Sequence, residues 1–286
     1  MRYTVETIMM PTVGVFKRQI FPLILSLIAC GILIVLIYLE ILVLNGITVS
    51  DISTHVRLTD ILIGFTIYIK TSIDFAIFIG NLMNANPGWK NRISIELGTA
   101  FGNGLGTMLI LLIWTFFKEV EWLLAIMILL AAVVLFKLAE DGLEHAKDTD
   151  RGYPLAFKKA VSYLEKTLEK INKLSKPLMQ LILPDLSMNS TAKAGFWALF
   201  SFAFFVPFVL GLDDFAGYVP LFSVVNILGF SVGVFLAHSI LNILLYISPT
   251  KTIRAVKNPY ISFFGSIAFV GLAILGFYEA GKILFH

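Results

Sequence analysis

Two acidic words sit inside apolar stretches of this chain: Thr71-Ser72-Ile73-Asp74-Phe75-Ala76 and Gly211-Leu212-Asp213-Asp214-Phe215-Ala216. Both contain Asp-Phe-Ala. A carboxylate at the centre of a hydrocarbon layer costs about 2.5–3.5 kcal/mol on insertion scales, so such an acid faces a partner, a cavity or an ion. If the two words meet, Asp74, Asp213 and Asp214 form a metal site of carboxylate oxygens, which suits a hard or borderline divalent cation. Gly80 and Asn81 follow the first word, and Pro220 follows the second. Proline removes a backbone donor and disturbs the preceding turn, which frees carbonyls to complete a coordination shell. Three more groups in apolar surroundings, Asn103, Asn226 and His238, carry amides or an imidazole that can bind metal or pass a proton. Lys70 lies one turn before Asp74 and has two readings. It neutralises Asp74 when no cation is bound, or it extends towards the headgroups. Glu96 is expected at the start of a helix, where it favours the dipole. Asp141 and His145, at i and i+4, form a smaller acidic cluster with Glu144. There is no phosphate loop, nucleophile triad or zinc-spaced histidine pair, so the chain reads as a protein that is not an enzyme and has no cofactor.

The elements that must position these groups are membrane helices. The chain has 286 residues, 58% hydrophobic and only 14% charged, with a mean hydropathy of +0.87. Soluble domains carry about 25% charged residues. The formal charge of +3 does not point to nucleic acid, and the single cysteine, Cys30, excludes a disulfide framework within the chain. The first apolar run begins near Phe21, is long enough to span, and lacks a small-residue cleavage site. Spans of about 20 apolar residues are expected over residues 20–45, 58–83, 95–117, 121–139, 195–218, 222–247 and 260–284. With the N-terminus in the cytoplasm, eighteen of the 22 basic residues fall on the inner side and three (Arg57, Lys118, Lys282) outside, with Lys70 inside a helix. The positive-inside rule favours that orientation, with the C-terminus outside. Gly98, Gly102 and Gly106 mark one helical face along which another helix can approach closely.

Helices two to four then form one unit, and helices five to seven a second of opposite orientation. Each opens on a helix that carries the acidic word. This predicts an all-α polytopic membrane protein of about seven transmembrane helices: an extra N-terminal helix (1–56), a first three-helix repeat (57–139), a cytoplasmic linker (140–194) and a second repeat (195–286). Such a 3+3 inverted repeat is the plan of many secondary transporters. In the linker, Val161, Leu164, Leu168 and Ile171 recur at helical spacing among lysines and glutamates, which predicts an amphipathic helix. That helix tethers the halves, lies on the lipid bilayer, or packs on a second copy to make a homodimer.

Gly211-Leu212-Asp213-Asp214-Phe215-Ala216-Gly217-Tyr218-Val219-Pro220-Leu221-Phe222 resembles the second-repeat motif of the cadmium-resistance transporters, commonly Gly-x-Asp-Asn-Ile-Gly-x-Tyr-x-Pro-Leu-Phe. Thr71-Ser72-Ile73-Asp74 is similar to their first-repeat Thr-Asn-Ile-Asp. That family belongs to the lysine-exporter superfamily of cation exporters. The resemblance implies export of a divalent metal such as cadmium or manganese from the cell (inner) membrane, with Thr71 and Ser72 beside the metal-site acids. Phe75 stands where that family usually has a second Asp, and Asp214 where it has Asn. The shared Asp-Phe-Ala pairs Asp74 with Asp214, whereas the family motif pairs it with Asp213. Two other expectations compete with metal export: an exporter of amino acids or small organic cations, and a non-transporting membrane scaffold.

Overall fold

The computed structural model describes residues 20–49, 51–144, 153–182, 195–205, 218–222 and 225–285. All regular elements among them are helical. They are α1 (Phe21–Ile47), α2 (Leu58–Thr71), α3 (Ile73–Ala85), α4 (Trp89–Lys118), α5 (Glu121–Glu144) and α6 (Leu155–Ile182). Next come α7 (Phe196–Phe205), a 3-10 turn (Val219–Leu221), α8 (Ile227–Ile247), α9 (Pro249–Val256) and α10 (Pro259–Phe285). Five of these, α1, α4, α5, α8 and α10, are long and apolar enough to cross a membrane, and the bent pair α2–α3 makes a sixth if taken as one span. The fifth expected span, 195–218, is described only as far as Phe205. Large apolar side chains such as Leu27, Ile28, Val35 and Val43 on α1, and Ile267, Ile274 and Tyr278 on α10, point outward. In water such a surface would drive aggregation; in lipid it is the expected exterior.

Proline and glycine set several of the boundaries. Pro22 opens α1 and Pro249 opens α9, where a missing amide hydrogen leaves no helical bond unmade. Extended backbone at Gly88 starts α4 at Trp89, six residues before the expected start at 95. Glu96 is therefore nearly two turns inside its helix, not at its N-terminus. The fourth expected span continues to Glu144 and the sixth begins only at Ile227. Residues 249–256, expected as a link, fold into α9. There Ile253 reaches α3, where a Cβ on Gly80 would lie 2.7 Å from its Cδ1.

The helices pack in three sets. First, α2 lies along α8 so closely that a Cβ on Gly233 would sit 2.1 Å from the Ile61 carbonyl oxygen and 2.8 Å from the Phe65 amide nitrogen. Second, α4 lies along α7 in the same manner. A Cβ on Gly98 would sit 2.5 Å from the Phe200 carbonyl oxygen and 3.1 Å from the Phe204 amide nitrogen, and one on Gly102 would sit 2.3 Å from the Phe204 carbonyl oxygen. Two of the expected glycines, Gly98 and Gly102, thus do mark a close-approach face. Residue numbers rise together along both crossings, so both pairs are parallel. Third, α5 and α10 run antiparallel, with Gly142 beside Ser266 and the rings of Phe136 and Phe277 stacked at 5.9 Å. Helix α1 packs on α4 and α8.

The amphipathic helix is present as α6, and three of its four expected stripe residues are used within the chain, while Ile171 is exposed. Val161, Leu164 and Leu168 join Leu135, Phe136, Ala139 and Leu143 of α5 and Phe269 and Ala273 of α10 in one apolar cluster. Asn172 Nδ2 donates to the Phe136 carbonyl (3.1 Å) and to Glu140 Oε2 (2.7 Å). The covered stripe lies on α5 and α10 rather than on lipid.

Candidate functional site

The first acidic word falls on a break. The axes of Leu58–Thr71 and Phe75–Ala85 differ by 62°, with Ser72 at φ −86°, ψ 16° between the two helices. No proline or glycine causes it. Thr71 Oγ1 donates to the Tyr68 carbonyl at 3.1 Å, and the Ser72 amide donates to that carbonyl at 2.9 Å. A hydroxyl that competes for a helical carbonyl offers the chain a way out of the helix. Thr71 is half-buried and Ser72 fully buried. Asp74 follows in the first turn of α3. Its side chain lies outside the described residues, as do Asp213 and Asp214.

Lys70, the last residue before the break but one, does not extend to the surface. It is 7% exposed and runs into a slot between α5 and α10. The slot exists because two residues lack side chains: a Cβ on Gly265 would lie 2.0 Å from Lys70 Cδ, and one on Gly142 would lie 2.9 Å from Lys70 Nζ. Nζ donates to the Ser262 carbonyl at 2.8 Å and stands 5.8 Å from the centre of the Phe269 ring.

His238 sits beside the same break. Its ring is 5.7 Å from that of Phe75. Nδ1 lies 2.5 Å from the Tyr68 hydroxyl, and Nε2 lies 2.9 Å from Asn242 Nδ2. Both ring nitrogens are engaged, so a metal ligand at His238 must first displace one of these partners. Asn103 is buried on α4, and among the described residues its Nδ2 has no hydrogen-bond partner. Asn226 lies apart, about 18 Å along α8 from His238 at 1.5 Å per residue. It caps that helix: Oδ1 accepts from the Gly229 amide at 2.8 Å, and Nδ2 donates to the Ser53 carbonyl at 2.6 Å. Both ends of its amide serve the backbone. Of the smaller acidic cluster, Asp141 pairs with Lys137 at 2.6 Å; the Glu144 side chain and His145 lie outside the described residues. Among the described residues no three His, Cys, Asp or Glu side chains come together.

Four further polar groups, beyond the site residues expected from the sequence, share this buried region: Tyr68, Glu96, Thr99 and Asn242, each 2% exposed or less. Spacing carried a readable signal for three of them. Glu96, Thr99 and Asn103 fall at i, i+3 and i+7, one helical face, and Asn242 follows His238 by one turn. The chain matches no protein-family model, no curated protein and no solved structure.

Proposed function

We propose that this chain is a secondary transporter that exports a divalent metal cation by alternating access, with Asp74, Asp213 and Asp214 as the cargo ligands and Thr71 and Ser72 beside them. The observation that carries the proposal is the helix break at Thr71-Ser72-Ile73-Asp74. Interrupted helices near the bilayer midplane are where transporters gather the backbone carbonyls and acids that hold a charged cargo.

The two glycine crossings support a two-fold relation between the halves. Gly233 lies between the Ile61 oxygen and Phe65 nitrogen, and Gly98 between the Phe200 oxygen and Phe204 nitrogen. Ile61 thus corresponds to Phe200, and α2 to α7. Thirteen residues beyond Ile61 is Asp74, and thirteen beyond Phe200 is Asp213. This register favours Asp213 over Asp214 as the partner of Asp74. Parallel α2–α8 and α4–α7 pairs and an antiparallel α5–α10 pair are what two inverted three-helix units require. In this reading the N-terminus is cytoplasmic, the C-terminus is outside, and the protein resembles the cadmium-resistance transporters in plan as well as in motif.

The test is the metal content and metal tolerance of cells that express the wild type or Asp74→Asn, across cadmium, manganese and zinc. Higher tolerance and lower content for the wild type alone is the expected result. Equal tolerance and equal content overturn the reading. If export of an amino acid or organic cation is lost in Asp74→Asn while metal content is unchanged, the cargo is organic.

A further inference from the structure

A chain of buried polar contacts runs from α1 to α2 by way of α4 and α8. Ser26 Oγ on α1 donates to Glu96 Oε1 on α4. Thr99 Oγ1 donates to the Glu96 backbone carbonyl at 2.9 Å and accepts from Asn242 Nδ2 on α8 at 2.9 Å. The same amide nitrogen reaches His238 Nε2, and His238 Nδ1 meets the Tyr68 hydroxyl on α2. Ser26 is 4% exposed, and Glu96, Asn242 and His238 are each 1% exposed.

Donor and acceptor accounting leaves a specific surplus. The Ser26 and Thr99 hydroxyl hydrogens are both committed. Thr99, having given its hydrogen to the Glu96 carbonyl, needs a donor, which orients the Asn242 amide with its nitrogen towards Thr99. Among the described residues two buried acceptors, Glu96 Oε2 and Asn242 Oδ1, then have no hydrogen-bond partner, and the Asn103 amide nitrogen on α4, also unpartnered, donates to neither. Buried acceptors are ordinarily satisfied, and each exception calls for a reason. A carboxylate and an amide oxygen that both lack a donor, in a region already supplied with lone pairs from two hydroxyls, call for a positive charge.

We propose that Glu96 Oε2 and Asn242 Oδ1, with the Ser26 and Thr99 hydroxyl oxygens, bind one alkali cation between α1, α4 and α8. The donor set is all oxygen, which suits a hard ion. It carries one formal negative charge, so a monovalent ion leaves the buried site neutral. A divalent ion would leave a net charge in the apolar interior, which is costly. His238 and Tyr68 stand behind the site and hold the Asn242 amide in its orientation, as outer partners do for metal ligands. The extra helix α1 thereby acquires a task, since it supplies Ser26. The site is distinct from the acidic words and does not depend on the export reading.

The experiment is thermal unfolding of the full-length protein in detergent, in sodium chloride against choline chloride at constant ionic strength and pH, with lithium, potassium and magnesium chlorides alongside. A ligand that binds only the folded form raises stability in proportion to ln(1 + [L]/Kd). The expected result is a saturable rise of Tm with Na+ for the wild type. Glu96→Gln and Ser26→Ala should each weaken the apparent Na+ affinity by about tenfold or more, the equivalent of one lost ligand at 1.4 kcal/mol per decade. Asp74→Asn should keep the response. Because Ser26 lies on α1, its variant keeps the test open if Glu96→Gln does not fold. The proposal is overturned if the wild type melts alike in sodium and choline, if only magnesium stabilises it, if stability follows pH without regard to Na+, or if both variants keep the wild-type affinity. Loss of the response in Asp74→Asn overturns the separateness of the site.

Discussion

Replacing Gly233 by alanine should separate α2 from α8. The added methyl carbon would lie 2.1 Å from the Ile61 carbonyl oxygen and 2.8 Å from the Phe65 nitrogen, both of them backbone atoms. The closest ordinary carbon–oxygen contact is about 3.3 Å. The helices must therefore part by about 1 Å along a crossing also fixed by Gly64, where a Cβ would lie 2.1 Å from the Phe230 oxygen. Overpacking of this kind costs about 1–3 kcal/mol. It acts against a helix-propensity gain of about 0.8–1 kcal/mol for Gly→Ala. Gly31 on α1 provides the reference, because a Cβ there meets nothing within 4 Å, so Gly31→Ala carries the gain without the clash. The difference between the two variants isolates the contact. At about 2–4 °C per kcal/mol for a chain of this size, Gly233→Ala should melt about 2–12 °C below Gly31→Ala. The assay is tryptophan fluorescence during heating in detergent micelles. If the two variants melt within about 1 °C of each other, the backbones of α2 and α8 are not in contact at Gly233, and the register drawn from that crossing falls with it.

Gly265→Val should expel Lys70 from its slot. In a double-mutant cycle with Lys70→Ala, the two changes should therefore cost at least about 1 kcal/mol less together than their separate sum; strict additivity, read from Tm or denaturant midpoint, would show that the slot does not hold the lysine. Leu168→Ala removes a side chain that is 1% exposed and should weaken the docking of α6 by about 2–5 kcal/mol. Limited proteolysis should then cut within 153–182 many-fold faster while the main melting transition stays in place; unchanged cleavage would place Leu168 outside that interface. In a Cys30→Ser background, an impermeant thiol reagent should label Lys118→Cys in intact cells and Lys257→Cys only after permeabilisation. The reverse pattern would invert the proposed topology.

The parts of the fold that depend on long apolar runs were readable, because burial in lipid imposes a length on each helix whatever its neighbours are. The stripe of α6 and the face of Gly98 and Gly102 were readable for the same reason: each is a local periodicity. The break at Ser72 was not, since hydroxyls at 71 and 72 are tolerated in many helices and only the surrounding packing lets them interrupt this one. Apolarity alone starts α4 at 95 and makes Glu96 terminal, whereas Pro87-Gly88 marks the true start and puts Glu96 inside the helix. Helix α9 has no apolar run to reveal it, being eight residues long and polar, though Ser248-Pro249 is an ordinary helix opening. Asn242 reads in sequence as a single amide in an apolar run. Its importance comes from Thr99, 143 positions away, and no local pattern announces a contact at that range.

The parallel crossings have a consequence for how the protein is made. Helix α2 rests on α8, and α4 receives α7, so two helices made before α6 pack against helices made after it. When synthesis reaches the end of α5, the grooves at Gly64 and Gly98 are still empty, and the Lys70 slot has only one wall. The nascent first half is thus held in the membrane with unfilled, glycine-lined grooves until residues 195–285 emerge. Separately expressed halves should be short-lived alone and rescued by co-expression, and errors of membrane insertion in the second half should be felt as degradation of the first.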